Sequence, residues 1–254
     1  MGHKIVNMRM LFPTPVAVVR IEDHERINAL VLEELKARRA GEKGITRSNR
    51  DGWHSALDFF QRKEPGHREL AQAIMQAVAQ VTRKMSGPGV SFEALRLECD
   101  GWVNVNPAGG YNIPHDHPGS FWSGAYYLHN PQKSADKNPN SGAIEFIDHR
   151  SAPAGQGLVK APVLRGIETL HPQEGTLLVF PSNAKHWVHP NLSEEERVTV
   201  AFNARVTMNP AKLRAAATER QKQVTKGPAA AAGSKGSAAK KPAAKKKAVA
   251  KKPA

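Results

Sequence analysis

The sequence predicts an α+β chain, mainly β, in which a jelly-roll barrel follows a helical N-terminal part and precedes a disordered tail. Three observations carry the prediction. Two segments with apolar residues at helical spacing come first, and at least six short strand-like runs divided by Gly, Pro, Asn and Asp turns come after them. Helices followed by a block of strands is the order of a chain whose strands pack as a sandwich or barrel. The two histidine-rich motifs fall in the strand block, as expected of a barrel with a ligand-filled mouth.

In residues 9–21, Pro13 and Pro15 exclude a helix and favour an extended entry into an edge strand. A helix follows, with Asp23 as N-cap and Ile27, Leu30, Val31 and Leu35 on one face; Gly41 and Gly44 end it. The loop Ser48–Ser55 gathers polar residues around Trp53 and reads either as a turn anchored by one buried aromatic or as a site-lining loop. A second helix is predicted over His67–Met85, with Leu70, Ile74, Ala77, Val78 and Val81 on its apolar face and Ser86-Gly-Pro-Gly89 as its stop. Strands are predicted at Phe92–Leu97, Gly101–Asn106, Ser123–Leu128, Ala143–Phe146, Thr176–Phe180 and Arg197–Val206. Trp102, Asn104 and Asn106 share one face of theirs, which is polar for a core and suits a wet cavity. Ala211–Gln223 reads as a last helix.

A chain of 254 residues that is 40% apolar suits one sizeable domain plus an appendage, expected at 1–220 and 221–254. The net charge of +14 is uneven: the tail holds ten Lys and no Asp, Glu or Arg, which leaves +4 for residues 1–220. Beyond Lys226 the composition of Ala, Lys, Pro, Gly and Ser cannot bury enough apolar surface to fold. Its repeats resemble the C-terminal arms of linker histones and imply association with nucleic acid or another polyanion, without sequence readout. The single cysteine, Cys99, excludes an intrachain disulfide, fits a reducing compartment and reads as a small core residue. The first residues lack the apolar core of a signal peptide, and no run approaches the ~20 apolar residues of a membrane span. Met1-Gly2 lacks the Ser or Thr of a myristoylation pattern at position 6, which is Val6. A cytoplasmic protein without membrane contact is expected.

The chemistry concentrates in Asn112–Tyr127, where His115, Asp116 and His117 are consecutive. Residues i and i+2 of a strand share a face, so His115 and His117 converge while Asp116 points away. A facial metal site needs a third ligand. The motif Phe180–Pro190 offers His186; His189, three residues on, faces the other way. Arg197 then opens an alternating strand in which Arg197, Thr199, Ala201 and Asn203 share a face. An inward Arg needs a partner, and a ligand carboxylate held bidentately is a natural one. Among the other histidines, His3, His24, His54 and His67 read as solvated, and His129, His149 and His171 as turn-flanking.

A short-spaced histidine motif, a distal histidine and an Arg about ten residues later resemble the iron(II)- and 2-oxoglutarate-dependent oxygenases. More narrowly, the chain resembles a bacterial and phage oxygenase family with a His-x-His-Pro-x-Ser…Ser-Gly-x-Tyr-Tyr block. The matching pieces are Leu11–Pro15, Ser48-Asn49, Gly52-Trp53, His115–Ser120, Ser123–Tyr127, Phe180–Ser182, His186–Pro190, Arg197 and Phe202-Asn203. The resemblance implies a double-stranded β-helix of cupin-like form, with Fe(II) and 2-oxoglutarate as cofactors and O2 and an unidentified prime substrate as partners. It implies a dioxygenase, in practice a hydroxylase, that turns 2-oxoglutarate into succinate and carbon dioxide. The catalytic set it implies is His115, His117, His186 and Arg197, with Arg197, Asn203, Tyr127 and Asn104 binding the cosubstrate.

The superfamily's triad has two histidines and a carboxylate. Here strand parity favours His115, His117 and His186, and Asp116 substitutes for one of them only if a bulge turns the backbone. Trp102, Asn104, Asn106, Trp122 and Trp187 are candidates for the substrate cavity. Two other readings stay open on the sequence: a non-redox metal-binding barrel of cupin type, acting as an isomerase or sensor, and a nucleic-acid-associated protein acting through its tail.

Overall fold

In the computed structural model, residues 2–131, 138–212, 214–215 and 218 are described. Two compact units are present, Met1–Lys212 and Leu213–Ala254. The second, with most of the expected last helix and all of the basic tail, lies almost wholly outside the described residues.

Within the first unit the elements run β1 (Ala17–Arg20), α1 (His24–Gly41), β2 (Asn49–Arg50), β3 (Trp53–His54), α2 (Pro65–Met85), β4 (Leu95–Asn106), β5 (Tyr111–His115), β6 (Trp122–His129), β7 (Ile144–Ile147), α3 (Gln156–Val159), β8 (Ile167–Leu170), β9 (Thr176–Pro181), β10 (Lys185–Val188) and β11 (Arg197–Met208). The strands form a six-stranded sheet, β1-β9-β6-β11-β4-β3, and a five-stranded sheet, β2-β5-β10-β7-β8. Every pairing is antiparallel. The two sheets close on Tyr127, Leu178 and Phe180 from one side and Ile144 and Phe146 from the other, which makes the expected jelly-roll. No helix among the described residues is long and apolar enough to cross a membrane.

The outer face of the larger sheet is covered by α1 and α2. Leu70, Ile74, Ala77 and Val78 of α2 are buried against Val103, Val105, Val200 and Phe202 of β4 and β11. Tyr126 Oη donates to Asn28 Oδ1 at 2.6 Å and Asn28 Nδ2 donates to the Leu128 carbonyl at 2.8 Å, which ties α1 to β6. Glu34 of α1 accepts from the amides of Gly66 and His67 at 2.7 and 3.0 Å, and so caps the N-terminus of α2 from a neighbouring helix.

Several local expectations are corrected. Asp23 holds the N-cap position as expected but makes no side-chain capping bond; it sits in the left-handed region and its carboxylate pairs with Arg26 Nε at 2.6 Å. Leu30 is exposed and lies off the packed face of α1. The second helix begins at Pro65, a proline at its first position, two residues before His67. Phe92–Ala94 is a 3₁₀ turn, and the two strands expected on either side of Cys99 are one strand, β4. Of residues 9–21 only β1 is strand, at the edge of its sheet as the prolines suggested. His67 is buried, its Nδ1 2.6 Å from Glu34 Oε2, and His54 is buried as well.

Candidate metal centre

β5 and β10 are neighbours, and their register sets His115 opposite His186. β5 ends at His115, so strand pairing alone does not place His117. Its amide donates instead to the Ser182 carbonyl at 2.9 Å, which anchors the chain past the strand end. The ring centroids stand 4.5 Å apart for His115 and His186, 4.9 Å for His115 and His117, and 5.3 Å for His117 and His186. One nitrogen from each ring falls within 4.8 Å of the other two. Asp116 is exposed, on the opposite side of the backbone.

His115 Nδ1 lies 2.6 Å from the Ile113 carbonyl and His186 Nδ1 lies 2.8 Å from the Ala184 carbonyl. A carbonyl only accepts, so each Nδ1 carries the proton and each Nε2 keeps its lone pair. Burial, and then the neighbouring His115, hold the imidazole of His186 down to about 3 and that of His117 down to about 4. Burial lowers His115 as well. At neutral pH the cluster is three neutral imidazoles, the form that binds a metal.

Across the inner face of the larger sheet the register builds rows of side chains. Trp102, Ala201, Ala125 and Leu178 form one row, Asn104, Thr199 and Tyr127 the next, and Asn106 and Arg197 a third. Arg197 is 2% exposed, and among the described residues it makes no ion pair with a carboxylate. Its guanidinium carbon lies 5.1 Å from the centre of the Tyr127 ring. Burial lowers the Arg197 pKa and raises that of the Tyr127 phenol. Arg197 Nε, Tyr127 Oη, Asn104 Oδ1 and Asn106 Oδ1 are buried without a hydrogen-bond partner. Orphaned buried polar atoms are costly, and a cluster of them on one wall signals a polar ligand. Gly142 (φ 63°) closes over this wall: a Cβ there would lie 3.1 Å from Arg197 Cδ.

Other candidates stand elsewhere. Asn203 shares the face of Arg197, but its Oδ1 accepts from Ser123 Oγ at 2.7 Å. Trp122 belongs to the core under α2, with Nε1 donating to Thr82 Oγ1 at 2.9 Å. Trp187 lies beside His189 and donates to Glu145 Oε1 at 2.9 Å, on the side of β10 away from His186. Neither tryptophan lines the centre; Trp102 does, 5.9 Å from the His117 ring. The sequence reading missed His54. Paired opposite Asn104, it faces inward and stacks on Trp102 at 5.4 Å. A two-residue strand has no periodicity to reveal its face.

Residues 100–203 match a family model described as "Putative 2OG-Fe(II) oxygenase". No curated protein matches the chain. Among solved structures, a prolyl-4-hydroxylase from Pseudomonas putida aligns over 75% of this chain and 91% of its own, at 17% identity and a TM-score of 0.52. A prolyl hydroxylase from Trichoplax adhaerens, in complex with a peptide fragment of a hypoxia inducible factor, aligns over 75% and 83%, at 13% identity and 0.53. SnoN, a non-heme alpha ketoglutarate dependent epimerase from nogalamycin biosynthesis, aligns over 77% and 79%, at 16% identity and 0.53. At such identities these likenesses concern the fold, and the residues that the family model matches include all three histidines and Arg197. Over residues 100–203 the chain is thus similar to the 2-oxoglutarate- and iron(II)-dependent oxygenases, and its barrel shares their fold.

Proposed function

We propose that the enzyme hydroxylates its substrate, with His115, His117 and His186 holding iron(II) and Arg197 holding the far carboxylate of 2-oxoglutarate. The observation that carries this is Arg197, a buried cation with no protein carboxylate among the described residues. An unpaired buried charge is costly, and a ligand of opposite charge offsets that cost. Tyr127, Asn104 and Asn106 stand beside it with unused polar atoms suited to the same ligand. The donor set fits the metal: three neutral imidazoles, two with Nε2 freed by a carbonyl at Nδ1. Such a set leaves the +2 charge of the ion uncompensated, which favours a dianionic cosubstrate. Bound iron and 2-oxoglutarate supply the oxidising chemistry, with the cosubstrate giving up carbon dioxide to become succinate. The protein binds, orients and keeps water out.

Anaerobic titration with iron(II) and then 2-oxoglutarate, read by the visible charge-transfer absorption of the chelate, tests this. The band is expected in the wild type and absent in His186→Ala. Metal binding without a band would overturn the cosubstrate role. We also propose that the tail at 221–254, with its ten Lys, holds the enzyme near polyanions; salt-dependent heparin retention that survives deletion of the tail would refute that.

A further inference from the structure

The three imidazoles of the centre are not held alike. His115 and His186 each have Nδ1 fixed by a backbone carbonyl. No ring hydrogen bond to the described residues is made by His117; only its backbone amide is tied, to Ser182. A ring without a partner turns about its side-chain bonds, and fixing it costs entropy at the moment of metal binding. What the His117 ring has instead is an aromatic wall. Trp102 lies 5.9 Å from it at 47°. Trp102 in turn is stacked on His54, at 5.4 Å and 10°.

His54 is itself immobilised. It is 3% exposed, and its Nδ1 lies 2.6 Å from the Ser55 carbonyl. The Ser55 hydroxyl accepts from the Val103 amide at 2.9 Å and donates to the Ala56 carbonyl at 2.8 Å. The loop that carries His54 is therefore fastened to β4 at the residue following Trp102. A row of ring contacts, stacked between His54 and Trp102 and tilted between Trp102 and His117, runs from the edge strand β3, through β4, to the third imidazole.

We infer that Trp102 and His54 are positioning residues for His117: this row of rings does for the imidazole what a backbone carbonyl does for the other two. The inference rests on the reading of His115, His117 and His186 as the metal ligands. Residues that orient metal ligands from behind typically contribute 10–100-fold in affinity, and Trp102→Ala is expected to lose about that much. Trp102→Phe keeps a ring against His117 and recovers most of the loss. His54→Ala removes one aromatic pair and weakens binding by roughly 2–10-fold.

The probe is cobalt(II), titrated into the full-length protein in competition with a chelator of known affinity, with its ligand-field absorption recorded. Because the effect runs through His117, Trp102→Ala should cost nothing further in a His117→Ala background. Wild-type affinity in Trp102→Ala, or an equal loss in the His117→Ala background, overturns the positioning role. His54→Ala, at the sheet edge, carries the test if Trp102→Ala does not fold, and unchanged affinity there overturns it equally. A wild type that binds no cobalt overturns the metal centre itself, so the two failures are distinct.

Discussion

His115 and His186 stand directly opposite each other on antiparallel neighbours, their ring centroids 4.5 Å apart. The centre is therefore set by sheet register. A one-residue slip of β10 would replace His186 with Lys185 or Trp187 on the inner face. Replacing either histidine by Ala is expected to weaken cobalt(II) or iron(II) binding by at least about 100-fold, while Asp116→Ala, on the exposed side, changes it by less than about twofold. Equilibrium dialysis of the three variants measures this. A large loss in Asp116→Ala would return the carboxylate to the triad.

Arg197 is expected to set function against stability. Arg197→Met removes a buried cation that no described carboxylate compensates. The cosubstrate-free protein should be as stable as the wild type or more so, by up to about 1–4 kcal/mol. Affinity for 2-oxoglutarate should fall by about 2–5 kcal/mol, the cost of truncating one partner of a buried charge pair. Urea unfolding and calorimetric titration, run on the same preparation, read both. Destabilisation with unchanged 2-oxoglutarate affinity would mean that Arg197 serves the core.

Gly124 lies on β6 between Val179 of β9 and Phe202 of β11. A Cβ there would sit 2.3 Å from the Leu178 carbonyl oxygen and 2.4 Å from the Phe202 ring. The ladder fixes that carbonyl, so Gly124→Ala is expected to cost about 2–3 kcal/mol by overpacking. The urea midpoint should fall without a change of slope; a midpoint equal to the wild type would show that the strands separate freely.

Cys99 is buried in the core, and burial, with Asp100 adding to it, pushes its thiol up to about 11. The folded thiol keeps its proton where the unfolded one, near 9, has lost it. This contribution to stability is therefore unchanged below pH 9 and falls as pH rises from 9 towards 11. Labelling by a disulfide reagent at pH 8 should be slow in the native protein and fast in urea. Fast native labelling would show that the β4–α2 layer opens.

Much of the architecture was legible in local pattern. The helical face of Leu70, Ile74, Ala77 and Val78 is read from a 3.6-residue period and is buried as that period requires. Strand parity put Arg197 and Thr199 on one face and Trp102, Asn104 and Asn106 on another. The register shows these to be successive rows of one wall. The convergence of His115, His117 and His186 followed from the same parity joined to motif order.

What the sequence determined by itself was the kind of element at each place and which residues share a side of it, because backbone geometry ties side-chain direction to position along the strand. Which side faces inward, and which strands are neighbours, only the tertiary structure decided. Trp122 and Trp187 alternate as well as Trp102 does, yet they pack under a helix and against Glu145. His54 reads as solvated in its polar loop, yet it lies in the barrel because β3 pairs with β4. Pairing depends on closing long loops against the burial of a whole face, a sum over distant residues that no local window contains.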